Sequence, residues 1–279
     1  LKILEQLGAK VRVLNRSDVE LDCRHIVTTR APQELAHKLR ASYYLIGALL
    51  GRFGEAEVSL PGGCELGPRP IDLHMKALTE LGCKISEKKG YLHVKGRHIA
   101  AANLTLSFPS VGATENIMLA SCFTSGVTVV KNVAKEPEIV DLANFLNSMG
   151  ANIKGAGTDV IRIKGVEKLH KTEYSVIPDQ IEAGTFMVAA AATKGDITVK
   201  NVIPKHLESI SAKLQEIGCE IEESDDAVRV VSSKPLSYTQ VKTLPYPGFP
   251  TDMQPQITMT LGLSNGNSIV TESIFEIKP

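Results

Sequence analysis

Cys64 lies in the stretch LPGGCELGPRP, behind two glycines and five residues ahead of Arg69, which sits between two prolines. That density of glycine and proline suits neither a helix nor a strand interior, so the pattern predicts a loop. A guanidinium beside a thiol favours the thiolate, below the free value of about 8.5. Glycines at the loop's base would let it open and close. Two readings stay open: a reactive thiol, or a small buried hydrophobe, the usual state of a free cysteine. The second suits Cys83 and Cys219, which follow glycine at equivalent places, and also Cys122, on an apolar helix, and Cys23.

Other polar groups gather just before apolar segments. In RPIDLH, Asp72 reads as an N-cap, and Arg69 as a ligand for a phosphate or carboxylate. His74 reads as a partly exposed helix residue. Arg40 precedes ASYYLIGALLG, where a cation opposes the helix dipole; it reads either as a solvated charge or as a partner for an anion at the free N–H groups. PSVGAT, residues 109–114, offers Ser110 as a cap or a backbone anion nest. Asp252, in PYPGFPTDMQPQITM, is a cap or a general base held on a rigid loop. Asp179 and Glu182, in IPDQIEAGTF, begin a fifth such segment. No Walker-A loop, dinucleotide fingerprint, HExxH helix or GxSxG elbow occurs, which moves the common nucleotide hydrolases, Rossmann dehydrogenases, zincins and serine esterases out of the first rank.

The elements that must position these groups repeat along the chain. LKILEQLGAKVRV, MKALTELGCKISE, LANFLNSMGANIKG and SAKLQEIGCEIEE share a helix, a glycine and a strand start. Their glycines, Gly8, Gly82, Gly150 and Gly218, are spaced by 74, 68 and 68 residues. Between them run small-residue helices that end in turns at Gly54, Gly126, Gly195 and Gly266, spaced by 72, 69 and 71. Each repeat of about 70 residues therefore reads helix, strand, helix, strand, strand. The first helix, as in GTFMVAAAATKG, is apolar nearly all round and is expected to be buried. The second is amphipathic, with Leu207, Ile210, Leu214 and Ile217 on one face, and its glycine is placed to be a left-handed C-terminal residue. The chain starts at a second helix and stops after a strand, which implies missing pieces at both ends.

Composition narrows the class. The 279 residues are 43% hydrophobic, enough for a sizeable core. Lysine plus arginine equal aspartate plus glutamate at 31 each, which argues against non-specific nucleic-acid binding. No apolar run reaches the roughly 18 residues of a membrane span. Five widely spaced cysteines without a CxxC fit a reducing cytoplasm rather than a disulfide framework or a zinc site.

RASYYLIGALLGRFGEAEVSLPGGCELGPRPIDLH resembles the enolpyruvyl transferase family. The likeness runs on through PSVGATENIMLA, AKEPEIVDLANFLNSMGANIKGAGTD, IPDQIEAGTFMVAAA and FPTDMQPQ, over essentially the whole chain. The resemblance implies an α/β (α+β) fold, an inside-out α/β barrel of two domains built from such repeats. Here those would be residues 1–177, with the catalytic loop and an incomplete first unit, and residues 178–279, also incomplete. It implies transfer of the enolpyruvyl group of phosphoenolpyruvate to the 3′-hydroxyl of UDP-N-acetylglucosamine, with release of phosphate. That is the first committed step of peptidoglycan synthesis, a cytoplasmic reaction without cofactor, metal, nucleic acid or membrane.

In that scheme Cys64 protonates the methylene carbon and is the target of fosfomycin. Arg40 and Arg69 hold the phosphoenolpyruvate anion. Asp252 meets the sugar hydroxyl as candidate base. Arg69, Pro70, Ile71, Asp72 and Leu73, with Ser110, Val111 and Gly112, line the UDP-sugar site, and Ile274 closes it. An acid and a base flanking the reacting centre suit this chemistry, and cations stabilise the phosphate. Departures from the family pattern are the absent N-terminal Lys-Asn pair, the absent C-terminal arginines, and FEIKP where FENRF is expected, with Lys278 for an arginine. They imply a piece that alone releases no phosphate. The sister 3-phosphoshikimate 1-carboxyvinyltransferase reaction, a truncated inactive paralogue that binds a UDP-sugar or a partner protein, and a duplicated scaffold without an active site remain as alternatives.

Overall fold

The computed structural model describes residues 1–59, 71–96 and 99–275. The first repeat supplies α1 (Lys2–Leu7), β1 (Lys10–Val13) and β2 (Val19–Asp22). After α2 (Gln33–Ala36), the second supplies α3 (Tyr44–Phe53), β3 (Glu55–Ser59), α4 (Asp72–Glu80), β4 (Lys84–Lys88) and β5 (Tyr91–Lys95). The third supplies β6 (Asn103–Thr105), α5 (Val111–Ser121), β7 (Val127–Lys131), α6 (Pro137–Ser148), β8 (Asn152–Lys154) and β9 (Val160–Lys164). The fourth supplies α7 (Gln180–Ala192), β10 (Asp196–Lys200), α8 (Glu208–Glu216), β11 (Glu220–Glu223) and β12 (Ala227–Val231). A fifth begins with β13 (Gln240–Lys242), α9 (Gln254–Leu261) and β14 (Ile269–Thr271).

The repeat extends to individual hydrogen bonds. Gly8, Gly82, Gly150 and Gly218 all have left-handed φ angles, 107°, 92°, 99° and 107°. Each glycine N–H reaches the carbonyl three residues back, and the following N–H reaches five back, as in Gly218 to Gln215 at 3.0 Å and Cys219 to Leu214 at 2.9 Å. This is the Schellman closure, which satisfies the orphan carbonyls of a helix end. The carbonyl just before each glycine (Leu7, Leu81, Met149, Ile217) accepts a bond from the chain that follows the last strand, at 2.8–3.0 Å.

The sheets share one order. The strand after the first helix of a repeat pairs antiparallel with the repeat's last strand, which pairs in turn with the strand before it: β3-β5-β4, β7-β9-β8 and β10-β12-β11. The registers correspond from repeat to repeat, with Glu55 opposite Lys95, Val127 opposite Lys164 and Asp196 opposite Val231. β6 joins β7 in parallel, as β13 joins β14. Period-2 alternation turns Ile161 and Ile163 of β9, and Val228 and Val230 of β12, fully inward.

The chain divides into two compact units, Leu1–Ala134 with Leu142–Tyr174, and Lys135–Asp141 with Ser175–Pro279. In the second, Leu207, Ile210, Leu214 and Ile217 are at most 1% exposed, so each stabilises the fold by about 1.5–3 kcal/mol relative to exposure. In the first, α5 packs between α3 and α4. Gly47 and Gly51 let the α3 and α5 backbones approach, since a Cβ on Gly47 would lie 2.7 Å from the Asn116 carbonyl oxygen. The expectation of small-residue helices buried all round holds for most of α5. It fails for α7 and α9, where Phe186 is 54% and Met259 78% exposed. Among the described residues, α5 has helices on two sides, whereas α7 lies between α9 and the strands β10 and β12, and α9 has α7 as its one helical neighbour of any extent. No helix among the described residues is long and apolar enough to cross a membrane.

Candidate functional site

In the first unit, three helix starts carry the sequence-derived candidates. Arg40 opens the 3-10 turn Arg40–Tyr43 that runs into α3. Its guanidinium carbon lies 5.2 Å from the Tyr43 ring centroid, within cation–π range. Ile71 stands at the N-cap of α4, with Asp72 and Leu73 as its first residues. Asp72 is thus not the capping residue; its exposed carboxylate stands one position further in, where it still complements the helix dipole. Ser110 caps α5, its hydroxyl accepting from the Ala113 N–H at 3.3 Å, with Val111 and Gly112 beginning the helix.

A buried polar cluster ties these starts together. His74 is 5% exposed, which corrects the expectation of a partly exposed residue. Its ring packs edge-on against Tyr43, centroids 4.9 Å apart. A Cβ on Gly112 would come within 2.9 Å of both the His74 Cε1 and the Tyr43 hydroxyl, so glycine allows α5 to enter here. Asn116 is the hub: its Oδ1 accepts from the Gly47 N–H at 2.8 Å, and its Nδ2 reaches the Gly112 carbonyl at 3.3 Å and His74 Nδ1 at 3.1 Å. With Oδ1 taken by a backbone donor, Nδ2 is the donor to His74, so Nδ1 accepts and the ring proton sits on Nε2. Burial lowers the His74 pKa to about 4; the Arg40 charge adds to this and Asp72 opposes it. Burial, with Glu115 and Tyr43 nearby, holds the Tyr44 phenol far above its usual range.

Arg40, Ile71–Leu73 and Ser110–Gly112 are therefore brought together by Tyr43, His74 and Asn116. The arrangement offers a guanidinium and two helix N-termini, the chemistry of anion binding. Cys64, Arg69 and Pro70, with Lys278, lie outside the described residues.

In the second unit, Asp252 is exposed on the 3-10 turn Thr251–Met253, anchored by the fully buried Met253. Pro250 and Met253, not Asp252, stand at the N-caps of that turn and of α9. Asp179 does cap: it accepts from the Ile181 and Glu182 N–H groups at 2.7 and 3.3 Å. Ile274 follows β14, its N–H donating to Glu272 at 2.8 Å.

Cys83, Cys122 and Cys219 are buried, as their glycine and helix contexts suggest, and Cys23 is half-buried. Burial pushes the Cys83 and Cys122 thiols up to about 11. Among the described residues no three His, Cys, Asp or Glu side chains are placed to hold a metal ion. Sequence reasoning missed Asn116 and Glu272. The one available signal was a polar Asn as the sixth residue of the small-residue helix that contains TENIMLAS.

The family model for EPSP synthase (3-phosphoshikimate 1-carboxyvinyltransferase) matches residues 1–277. A UDP-N-acetylglucosamine 1-carboxyvinyltransferase 2 from Clostridium acetobutylicum is 57% identical over 275 residues, 99% of this chain and 66% of that protein. A UDP-N-acetylglucosamine 1-carboxyvinyltransferase from Clostridium botulinum is 53% identical over 275 residues, with the same shares covered. This chain thus spans 66% of the length of these curated relatives. Among solved structures, the enolpyruvyl transferase NikO from Streptomyces tendae matches with a TM-score of 0.82 at 22% identity, over 97% of this chain and 65% of that one. EPSP synthase from Acinetobacter baumannii matches with a TM-score of 0.61 at 20% identity, over 96% and 63%. Such identities speak for the fold, and the family match over residues 1–277 speaks for kinship. With its repeated sheet order, this chain has the enolpyruvyl transferase fold and belongs to the EPSP synthase (3-phosphoshikimate 1-carboxyvinyltransferase) family.

Proposed function

We propose that the chain serves enolpyruvyl transfer from phosphoenolpyruvate to the 3′-hydroxyl of UDP-N-acetylglucosamine, the entry to peptidoglycan synthesis, in the cytoplasm. The observation that carries this reading over the sister shikimate reaction is the name shared by relatives that are 49–57% identical. The domains are assigned as 1–177 and 178–279.

In the first step Cys64 gives its proton to the methylene carbon of phosphoenolpyruvate, leaving positive charge at the neighbouring carbon. The sugar 3′-hydroxyl oxygen bonds to that carbon while Asp252 takes the hydroxyl proton. In the second step the Cys64 thiolate left by the first takes a proton from the new methyl group, the C–H electrons re-form the double bond, and the carbon–oxygen bond breaks with its electron pair leaving on the phosphate. Arg40 and Arg69 hold the phosphate and carboxylate charges, which Arg's planar fork suits. Pro70, Ile71, Asp72, Leu73, Ser110, Val111, Gly112 and Ile274 contact the UDP-sugar. The neutral His74 leaves the positive field beside the anion to Arg40 and the helix ends. Fosfomycin, an epoxide, would alkylate Cys64.

The test is phosphate release from phosphoenolpyruvate by the complete reading frame, with and without UDP-N-acetylglucosamine, beside Cys64→Ala. A mass measurement of fosfomycin-treated protein accompanies it. Release that needs the sugar nucleotide and disappears in the variant is expected of the reaction. A fosfomycin adduct on Cys64, formed faster with UDP-N-acetylglucosamine, is expected of the site even where turnover is absent. Neither release nor adduct in a folded chain refutes the proposal.

A further inference from the structure

Glu272 has no part in that scheme, yet its carboxylate gathers at least four donors among the described residues. Oε1 accepts from the Thr243 hydroxyl at 2.8 Å, from the Ile274 N–H at 2.8 Å and from the Phe275 N–H at 3.3 Å. Oε2 accepts from the Thr251 hydroxyl at 2.9 Å. Thr243 is itself fully buried and accepts the Ser273 N–H on its hydroxyl at 2.9 Å, while its carbonyl accepts the Ser273 hydroxyl. Thr243 and Glu272 stand one residue past the ends of the parallel pair β13 and β14. Two chain segments leave the sheet there. One folds back through Leu244 and Phe249, bonded at 3.0 Å, to the Asp252 turn; the other continues to Ile274.

We propose that Glu272 is a positioning residue that clamps the Asp252 turn to the Ile274 turn, fixing the spacing between a candidate base and a candidate sugar-nucleotide contact. A serine, alanine or asparagine at this place could not span the same donors; the reach of a glutamate and both its oxygens are used. Burial raises the Glu272 pKa, but the bonds from Ile274, Thr243, Thr251 and Phe275 outweigh it, so the group stays ionised and the bonds are charge-assisted. The clamp stands on these contacts alone. The roles of Asp252 and Ile274 rest on the proposed function.

The experiment compares the unsubstituted chain with Glu272→Gln and Thr251→Val. Amide hydrogen exchange is read at Met253, Ile274 and Phe275, with Val228 and Val230 as core references. Affinities for UDP-N-acetylglucosamine and for UDP are read by calorimetry. Glu272→Gln removes the charge and leaves one accepting oxygen where two now serve, and exchange in both turns should rise about tenfold with the references unchanged. Thr251→Val, nearly isosteric, should loosen the Met253 amide and leave Ile274 as it was. Both variants should weaken UDP-N-acetylglucosamine more than UDP, a selectivity that a general loss of stability would not produce. Unchanged exchange in both variants overturns the clamp, and Thr251→Val decides this even if Glu272→Gln does not fold. Faster exchange with an unchanged affinity ratio overturns the positioning role. Failure of the unsubstituted chain to bind UDP-N-acetylglucosamine overturns the proposed function instead, and the exchange data then judge the clamp by themselves.

Discussion

His74 makes the stability of the first unit depend on pH in a calculable way. Its ordinary pKa of 6.5 falls to about 4 in the folded chain, because burial and Arg40 disfavour the imidazolium more than Asp72 favours it. Between those values the unfolded chain binds the proton and the folded chain does not, so stability falls as pH falls. The loss begins near pH 6.5 and is complete below about pH 4. The full shift corresponds to roughly 3 kcal/mol, of which about 2 kcal/mol is lost between pH 7 and pH 5. Protonation at Nδ1 would also set two donors face to face at 3.1 Å, His74 and the Asn116 amide. The perturbation is His74→Gln, which keeps an acceptor for Asn116 but cannot titrate. Urea unfolding, followed by circular dichroism at pH 7 and pH 5, gives each protein's acid-induced loss. The carboxylates and His206 titrate in both proteins and cancel in the difference. The unsubstituted chain should lose about 2 kcal/mol more than the variant. Losses equal within about 0.5 kcal/mol would refute the buried neutral assignment.

Two further outcomes follow from packing and burial. Gly47→Ala would place a methyl 2.7 Å from the Asn116 carbonyl and 2.8 Å from its Oδ1. Overpacking of about 1–3 kcal/mol should exceed the roughly 1 kcal/mol gained in helix propensity, so thermal melting should fall; a rise would show that α3 and α5 separate freely. At pH 8 thiols with a pKa near 11 are ionised to only about one part in a thousand, so iodoacetamide should label Cys23 well before Cys83 and Cys122. Peptide mass mapping showing the reverse order would contradict the burial of those two thiols.

Much of the architecture was legible because a duplicated unit writes itself into the chain several times. The glycines at 8, 82, 150 and 218 are bound to position by backbone geometry, and the spacing of Leu207, Ile210, Leu214 and Ile217 is bound by helix pitch; both are local constraints that a sequence exposes. The helix starts that carry Arg40, Asp72 and Ser110 were legible for the same reason. What composition and periodicity did not reveal is which polar residues are enclosed. His74 and Glu80 share one helix, yet the first is buried and the second exposed, since only α5 arriving beside α4 separates their environments. Asn116 bridges residues 42 and 69 positions away, and Glu272 reaches back 29 to Thr243 and 21 to Thr251. Hydrogen bonds between such distant residues have no period in a sequence. The sequence by itself determined the repeat, the glycine closures of the helices and the helix starts, because these depend on neighbours along the chain. The tertiary structure decided the protonation of His74, the hub at Asn116 and the clamp at Glu272, because burial and long-range pairing exist only once the helices and strands have packed.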